Sequence, residues 1–124
     1  MAVQYGIGAG DLDARGYVKQ YPTFRYHNGG TAYFRADNFG GIQNNGAYND
    51  LHRHLNFALG LRNRAGTQVV RVEFAPSQRG TTKPFGRFAA GDYATNARAV
   101  NNDPNYYATA YGYGWAGLLT LSGA

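Results

Sequence analysis

Cysteine is absent from the 124 residues, which removes disulfides, thiolate zinc sites and thiol nucleophiles together. Glutamate occurs once, as Glu73, and lysine only as Lys19 and Lys83. General acid and base work needs a tuned carboxylate pair or a carboxylate with histidine. The six aspartates, Asp11, Asp13, Asp37, Asp50, Asp92 and Asp103, all adjoin Gly, Asn, Pro, Ala or the ends of expected elements. Turn and cap roles are therefore expected for them. No apolar run approaches the roughly 18 residues of a membrane span, and Met1-Ala2-Val3-Gln4 lacks the charged and apolar regions of a signal peptide. A soluble product with no membrane partner is the expectation.

What is present is strand-forming. Eighteen Gly, 11 Tyr and 7 Phe stand beside a single Glu and two Lys, a balance that favours strands over helices. Twelve basic residues against seven acidic ones give a formal charge of +5, and ten of the twelve are Arg. Arg binds phosphate in bidentate fashion and stacks on bases, so the excess points to a nucleic-acid partner. The length fits one domain spanning 1–124.

The clearest pattern lies between Leu51 and Pro76. Leu55, Phe57, Leu59 and Leu61 alternate with Asn56, Ala58, Gly60 and Arg62. After the polar turn Asn63-Arg64-Ala65-Gly66, Val70, Val72 and Phe74 alternate with Val69, Arg71 and Glu73. Side chains on a strand point to opposite faces with period two, so this is a β-hairpin with one apolar face. Its other face holds His54, Asn56, Arg62, Arg71 and Glu73. Around it, Val3, Tyr5 and Ile7 alternate before Gly8-Ala9-Gly10-Asp11, and a second extended stretch runs from Gly16 to Tyr26, so the two read as an N-terminal hairpin. Thr31 to Arg35 reads as a short strand, Asn38 to Asn49 as a Gly/Asn-rich connection, and Phe85-Gly86-Arg87-Phe88 as a further strand. Beyond it Asp92 reads as the cap of a short helix reaching Val100. Asp103-Pro104 is a helix-start signal, and a helix from Asn105 to Leu121 would align Tyr107, Tyr111, Trp115 and Leu118.

Sites for chemistry are sparse. His52 and His54 share a strand face, but zinc would need His27 or a carboxylate as a third ligand, so neither metal nor cofactor is expected. Gly6-Ile-Gly8-Ala-Gly10 is followed by no helix pattern and no Gly-Lys-Ser/Thr, which argues against a phosphate loop. His54, Glu73 and Arg71 could supply base, acid and phosphate contact to a metal-independent ribonuclease. A binding surface asks less of the same residues: Arg62 and Arg71 for phosphates, Asn56 and Glu73 for base edges or 2′-hydroxyls, His54 for stacking.

The order of these elements resembles the coat proteins of single-stranded RNA bacteriophages. Val69-Val-Arg-Val-Glu-Phe-Ala-Pro76 is similar to that family's strand of alternating Val, Lys and Glu ending in Pro. Leu59-Gly-Leu-Arg62 is similar to its Arg-bearing partner strand, and Trp115-Ala-Gly-Leu-Leu119 to the end of its last helix. The resemblance implies an α+β fold: an antiparallel sheet with an N-terminal hairpin and C-terminal helices packing across a dimer partner. It implies an obligate homodimer that self-assembles into an icosahedral shell, made in a host bacterial cytoplasm and packaging single-stranded RNA in the virion. RNA contacts are then expected from Asn56, Arg62, Arg71, Glu73, His54 and Arg87, with translational repression by hairpin binding. A small ribonuclease or toxin domain, or a filament subunit without RNA, are the alternatives.

Overall fold

The computed structural model describes residues 2–42, 48–49, 54–105 and 112–123. Among them the chain forms ten strands: β1 (Ala2–Asp13), β2 (Lys19–Gln20), β3 (Arg25–His27), β4 (Gly30–Ile42), β5 (Tyr48–Asn49), β6 (Leu55–Arg62), β7 (Gln68–Phe74), β8 (Thr81–Phe88), β9 (Gly91–Asn101) and β10 (Gly112–Ser122). A single 3-10 turn, Pro76–Gln78, follows β7, and there is no α-helix among the described residues.

All pairing is antiparallel and falls into two sheets. In the first the order is β1-β10-β4, with β8 and β5 sharing the far edge of β4. In the second, β2 and β3 share one edge of β9, whose other edge takes β6 and then β7. Counting β2 with β3 and setting aside the two-residue β5, the chain visits the sheets in the order of an eight-stranded jelly roll, two interleaved Greek keys.

The expected hairpin of β6 and β7 is present, pairing Phe57 with Phe74 and Leu59 with Val72. Its turn is held by Asn63, whose N–H donates to Thr67 O and whose Oδ1 accepts from the Thr67 N–H, with Gly66 at φ 86°. The α+β expectation fails at the C-terminus. The stretch from Asp92 to Val100, read as a capped helix, lies within Gly91–Asn101, an inner strand of the second sheet, and Gly112–Ser122 is the strand between β1 and β4. Residues 106–111 of the expected helix lie outside the described residues, as do Leu51 to Arg53. The N-terminal hairpin is also replaced, because β1 pairs with β10 and β2 with β9. Without those helices, one continuous sheet crossed by a partner's helices is not the architecture.

Aromatic packing explains the outcome. Phe57 of the second sheet stacks on Trp115 at 5.2 Å and Phe39 at 5.6 Å across the sandwich, and Phe34 sits edge-on to Trp115 and Phe74. Rings of this size need space opposite. β9 offers Ala97 and Ala99, β4 offers Ala32 and Ala36, all at or near zero exposure. The small residues that look helical in isolation are thus the places where the facing rings fit. Gly117 is the extreme case, since a Cβ there would stand 2.3 Å from the Phe34 ring and from Arg35 O.

Gly117→Ala is accordingly expected to lower unfolding free energy by about 1–3 kcal/mol through overpacking. Gly6→Ala, whose added methyl would meet nothing within 4 Å, should stay within about 0.5 kcal/mol of the parent. Urea melts of the two variants would check the contrast.

A candidate ligand-binding trough on the second sheet

The outward face of the second sheet carries a depression of about 420 Å³ running along β6. Its floor is small because the two central outward residues of β6 are Ala58 and Gly60. Register sets its walls. Gly60 pairs with Arg71 on β7 and Asn96 on β9, and Ala58 pairs with Glu73 and Arg98. The walls belong to strands two spacings apart, about 10 Å. A single extended polymer strand fits between them, while a duplex does not.

Polar side chains in and beside the trough form a chain. Asn102 Nδ2 donates to Asn56 Oδ1 at 2.7 Å, Asn56 Nδ2 donates to Glu73 Oε2 at 2.8 Å, and Arg71 Nη2 donates to Glu73 Oε1 at 2.8 Å. Gln68 arches over Gly60, its Oε1 lying 3.5 Å from Asn96 Nδ2. Arg98 is exposed on the β9 wall and makes no hydrogen bond or ion pair among the described residues. Val18 and Val100 add the apolar part of the rim.

Of the residues expected to contact RNA, the fold gathers Asn56, Arg71 and Glu73 on this face. Arg62 is on the same strand but is only 8 % exposed. Its Nη1 donates to Thr95 O (2.9 Å) and Asn96 Oδ1 (2.5 Å), and its Nη2 donates to Tyr21 O (2.6 Å). Phe24 covers the guanidinium at 5.5 Å. Those contacts engage it in holding the segment between β2 and β3 onto β9. His54 sits in the turn before β6 and lies beside Asp103, Nδ1 to Oδ2 3.2 Å, rather than Glu73. Arg87 is exposed on β8 of the other sheet, away from the trough.

Gln68, Asn96 and Arg98 join the site without having been anticipated. Arg98 and Asn96 alternate with Ala97 and Ala99, a period-two signal masked by the helix-favouring alanines. His27 is fully buried: the Ser122 N–H donates to its Nδ1, which leaves Nε2 to donate to Gly30 O, both at 3.1 Å, while Phe88 stacks on the ring at 4.1 Å. It is a structural link between β3, β4 and β10. No group of three or more His, Asp or Glu residues suited to a metal ion occurs among the described residues.

No family model and no curated protein matches the sequence. Among solved structures the chain is similar to a family two carbohydrate esterase from Cellvibrio japonicus, with TM-score 0.37 and 16% identity, over 100% of this chain and 35% of that one. It is also similar to a chain in the structure of infectious bursal disease virus, Gt strain, with TM-score 0.30 and 15% identity, over 94% of this chain and 31% of the other. This chain thus spans about a third of the length of each, and neither likeness assigns a function.

The two arginines of β6 and β7 separate by role. Arg62→Ala is expected to cost about 2–4 kcal/mol, because it removes the buried donors to Tyr21 O and Asn96 Oδ1, leaves Thr95 O with only the Tyr21 N–H, and opens a gap beneath Phe24. Arg71→Ala, whose ion pair with Glu73 is exposed, should cost less than about 1 kcal/mol. Thermal melts of both variants would decide it.

Proposed function

We propose that the chain works by docking rather than catalysis, gripping a single extended strand of RNA along the β6 trough. The observation that carries this is the arrangement of exposed Arg98, without an ion pair among the described residues, and the Arg71–Glu73 pair on opposite walls of a floor of Ala58 and Gly60. Arginines on two walls match the phosphates of one backbone, and Asn56, Gln68 and Asn96 supply amide donors and acceptors to 2′-hydroxyls or base edges. Among the described residues the trough's lining includes no aromatic side chain, so these residues offer bases no stacking platform. The reading is therefore backbone tracking with little sequence preference.

Magnitude shapes the rest of the reading. Glu73 neutralises Arg71 in the free protein, so each trough offers about two phosphate contacts at most and holds RNA weakly by itself. Many copies on one strand would bind firmly, because linked sites raise effective concentration. A subunit of an RNA-containing shell is the second reading, favoured by the strand order, since jelly rolls build viral capsids as well as lectin domains. This is an analogy of fold, and the likeness to a virus structure is compatible with it. The ribonuclease alternative loses its constellation, with His54 beside Asp103 and Glu73 engaged by Asn56 and Arg71.

Fluorescence titration with a 5′-labelled single-stranded RNA should give log K falling with log salt at a slope near −1.4, from about 0.7 per phosphate contact. Arg98→Ala should bring that slope to about −0.7. Equal binding of duplex RNA, preference for an acidic or neutral polysaccharide, or an unchanged slope in Arg98→Ala would defeat the reading. Particles carrying nucleic-acid absorbance in negative-stain preparations would support the shell form of it.

A further inference from the structure

Each sandwich edge leaves backbone groups available for pairing, and three of the four edges here are guarded. β7 carries Arg71 and Glu73, and Lys83 of β8 reaches across to donate to Glu73 O at 2.7 Å. β8 adds Pro84, Arg87 and a register break against β4. The edge formed by β2 and β3 is interrupted after Gln20 and carries Lys19, Pro22 and Arg25. Charges, prolines and interruptions of this kind are how sheets avoid edge-to-edge association.

β1 carries charge only at its far end, where Asp11 and Asp13 follow a register break between Ala9 and Leu12. From Ala2 to Gly10 it reads Ala-Val-Gln-Tyr-Gly-Ile-Gly-Ala-Gly, without charge or proline, and it pairs only with β10 among the described residues. Its pairing with β10 stays regular from Ala2 to Ala9, an open edge of about 25 Å. Beside that edge the molecule is hollow. A cleft of about 280 Å³ separates Gly6, Ile7 and Gly8 from Tyr21, Pro22, Thr23 and Arg25.

We propose that β1 is the site of self-association, pairing antiparallel with β1 of a second copy about a two-fold axis through Gly6. The sequence is self-complementary about that residue. Tyr5 falls opposite Ile7 and Val3 opposite Ala9 on the inward side, while Gln4 falls opposite Gly8 on the outward side. Two glycines meet at the axis. Any extended strand could use these backbone groups, but a second copy satisfies two open edges at once.

Lack of native cysteine makes the test clean. Residues facing one another in an antiparallel pair have Cα atoms about 4.5–5.5 Å apart, within disulfide reach, and a Cβ at Gly6 meets nothing within 4 Å. Under mild air oxidation Gly6→Cys should give a reducible species of twice the 13.5 kDa chain mass on non-reducing gels. Gln4→Cys should stay single, because its counterpart would lie opposite residue 8, about 13 Å along the strand. Gly6→Lys sets two ammonium groups face to face and should leave a monomer by sedimentation whose circular dichroism keeps the parent's β-sheet signature, with a melting temperature that no longer depends on protein concentration. Equal cross-linking of both cysteine variants, a monomeric parent at all concentrations, or a Gly6→Lys protein that remains dimeric would each overturn the proposal.

Discussion

A guanidinium carried at the end of β6 is held out of water with no carboxylate beside it, and the second sheet is organised around it. Burying a cation costs several kcal/mol unless its donors are met. Arg62 meets the demand with two backbone carbonyls, one amide oxygen and an aromatic ring. Those carbonyls belong to β9 and to the segment after β2, elements far apart in sequence. One side chain therefore fixes the link between β2 and β3 against β9, aims Asn96 toward the trough, and positions Tyr21. From there Tyr21 reaches the other sheet, accepting from Trp115 Nε1 at 3.1 Å and donating to Asp11 at 2.8 Å. Burial raises the Tyr21 hydroxyl's pKa above the ordinary tyrosine value, so it stays a protonated donor through the physiological range.

The partition of side-chain size between facing surfaces is the second organising constraint. Large rings come from β4, β6, β7 and β10, and small residues from β9 and alternate positions of β4. The two sets interdigitate across the sandwich. On the outer face of β6 the same economy has a different result: Ala58 and Gly60 face no opposing sheet, and their smallness becomes a channel.

Those constraints define what sequence could disclose. Leu55 to Arg62 and Gln68 to Phe74 announced themselves because large apolar residues alternate with polar ones and a turn joins them. β10 carries an equally regular set, Tyr113, Trp115, Gly117, Leu119 and Leu121. The adjacent Leu118 and Leu119 and the Asp-Pro signal upstream obscured it, although three glycines weighed against a helix. β9 was the hardest, since Ala94, Ala97 and Ala99 favour helices by intrinsic preference, and Ala97 and Ala99 acquire their strand role from the rings packed in the same core. Losing β9 meant losing Asn96 and Arg98, half of the trough. Arg62 misled for a related reason: its parity puts it on the polar face, and only tertiary structure shows the 21–24 segment lying over it.

Weak individual sites and an unguarded edge belong together physically. A two-fold axis perpendicular to the first sheet turns the inward faces of both copies the same way. The second sheets then lie on one side of the pair, and both troughs open onto a common surface. Each trough has too few cations to hold a flexible chain alone, but two in fixed relation share the entropic cost of ordering it. The first sheet's outer surface, with Gly6, Gly8, Ala116 and Thr120, takes no part in that binding. In the proposed pair, association uses an edge of the first sheet and docking the outer face of the second, so neither would obstruct the other.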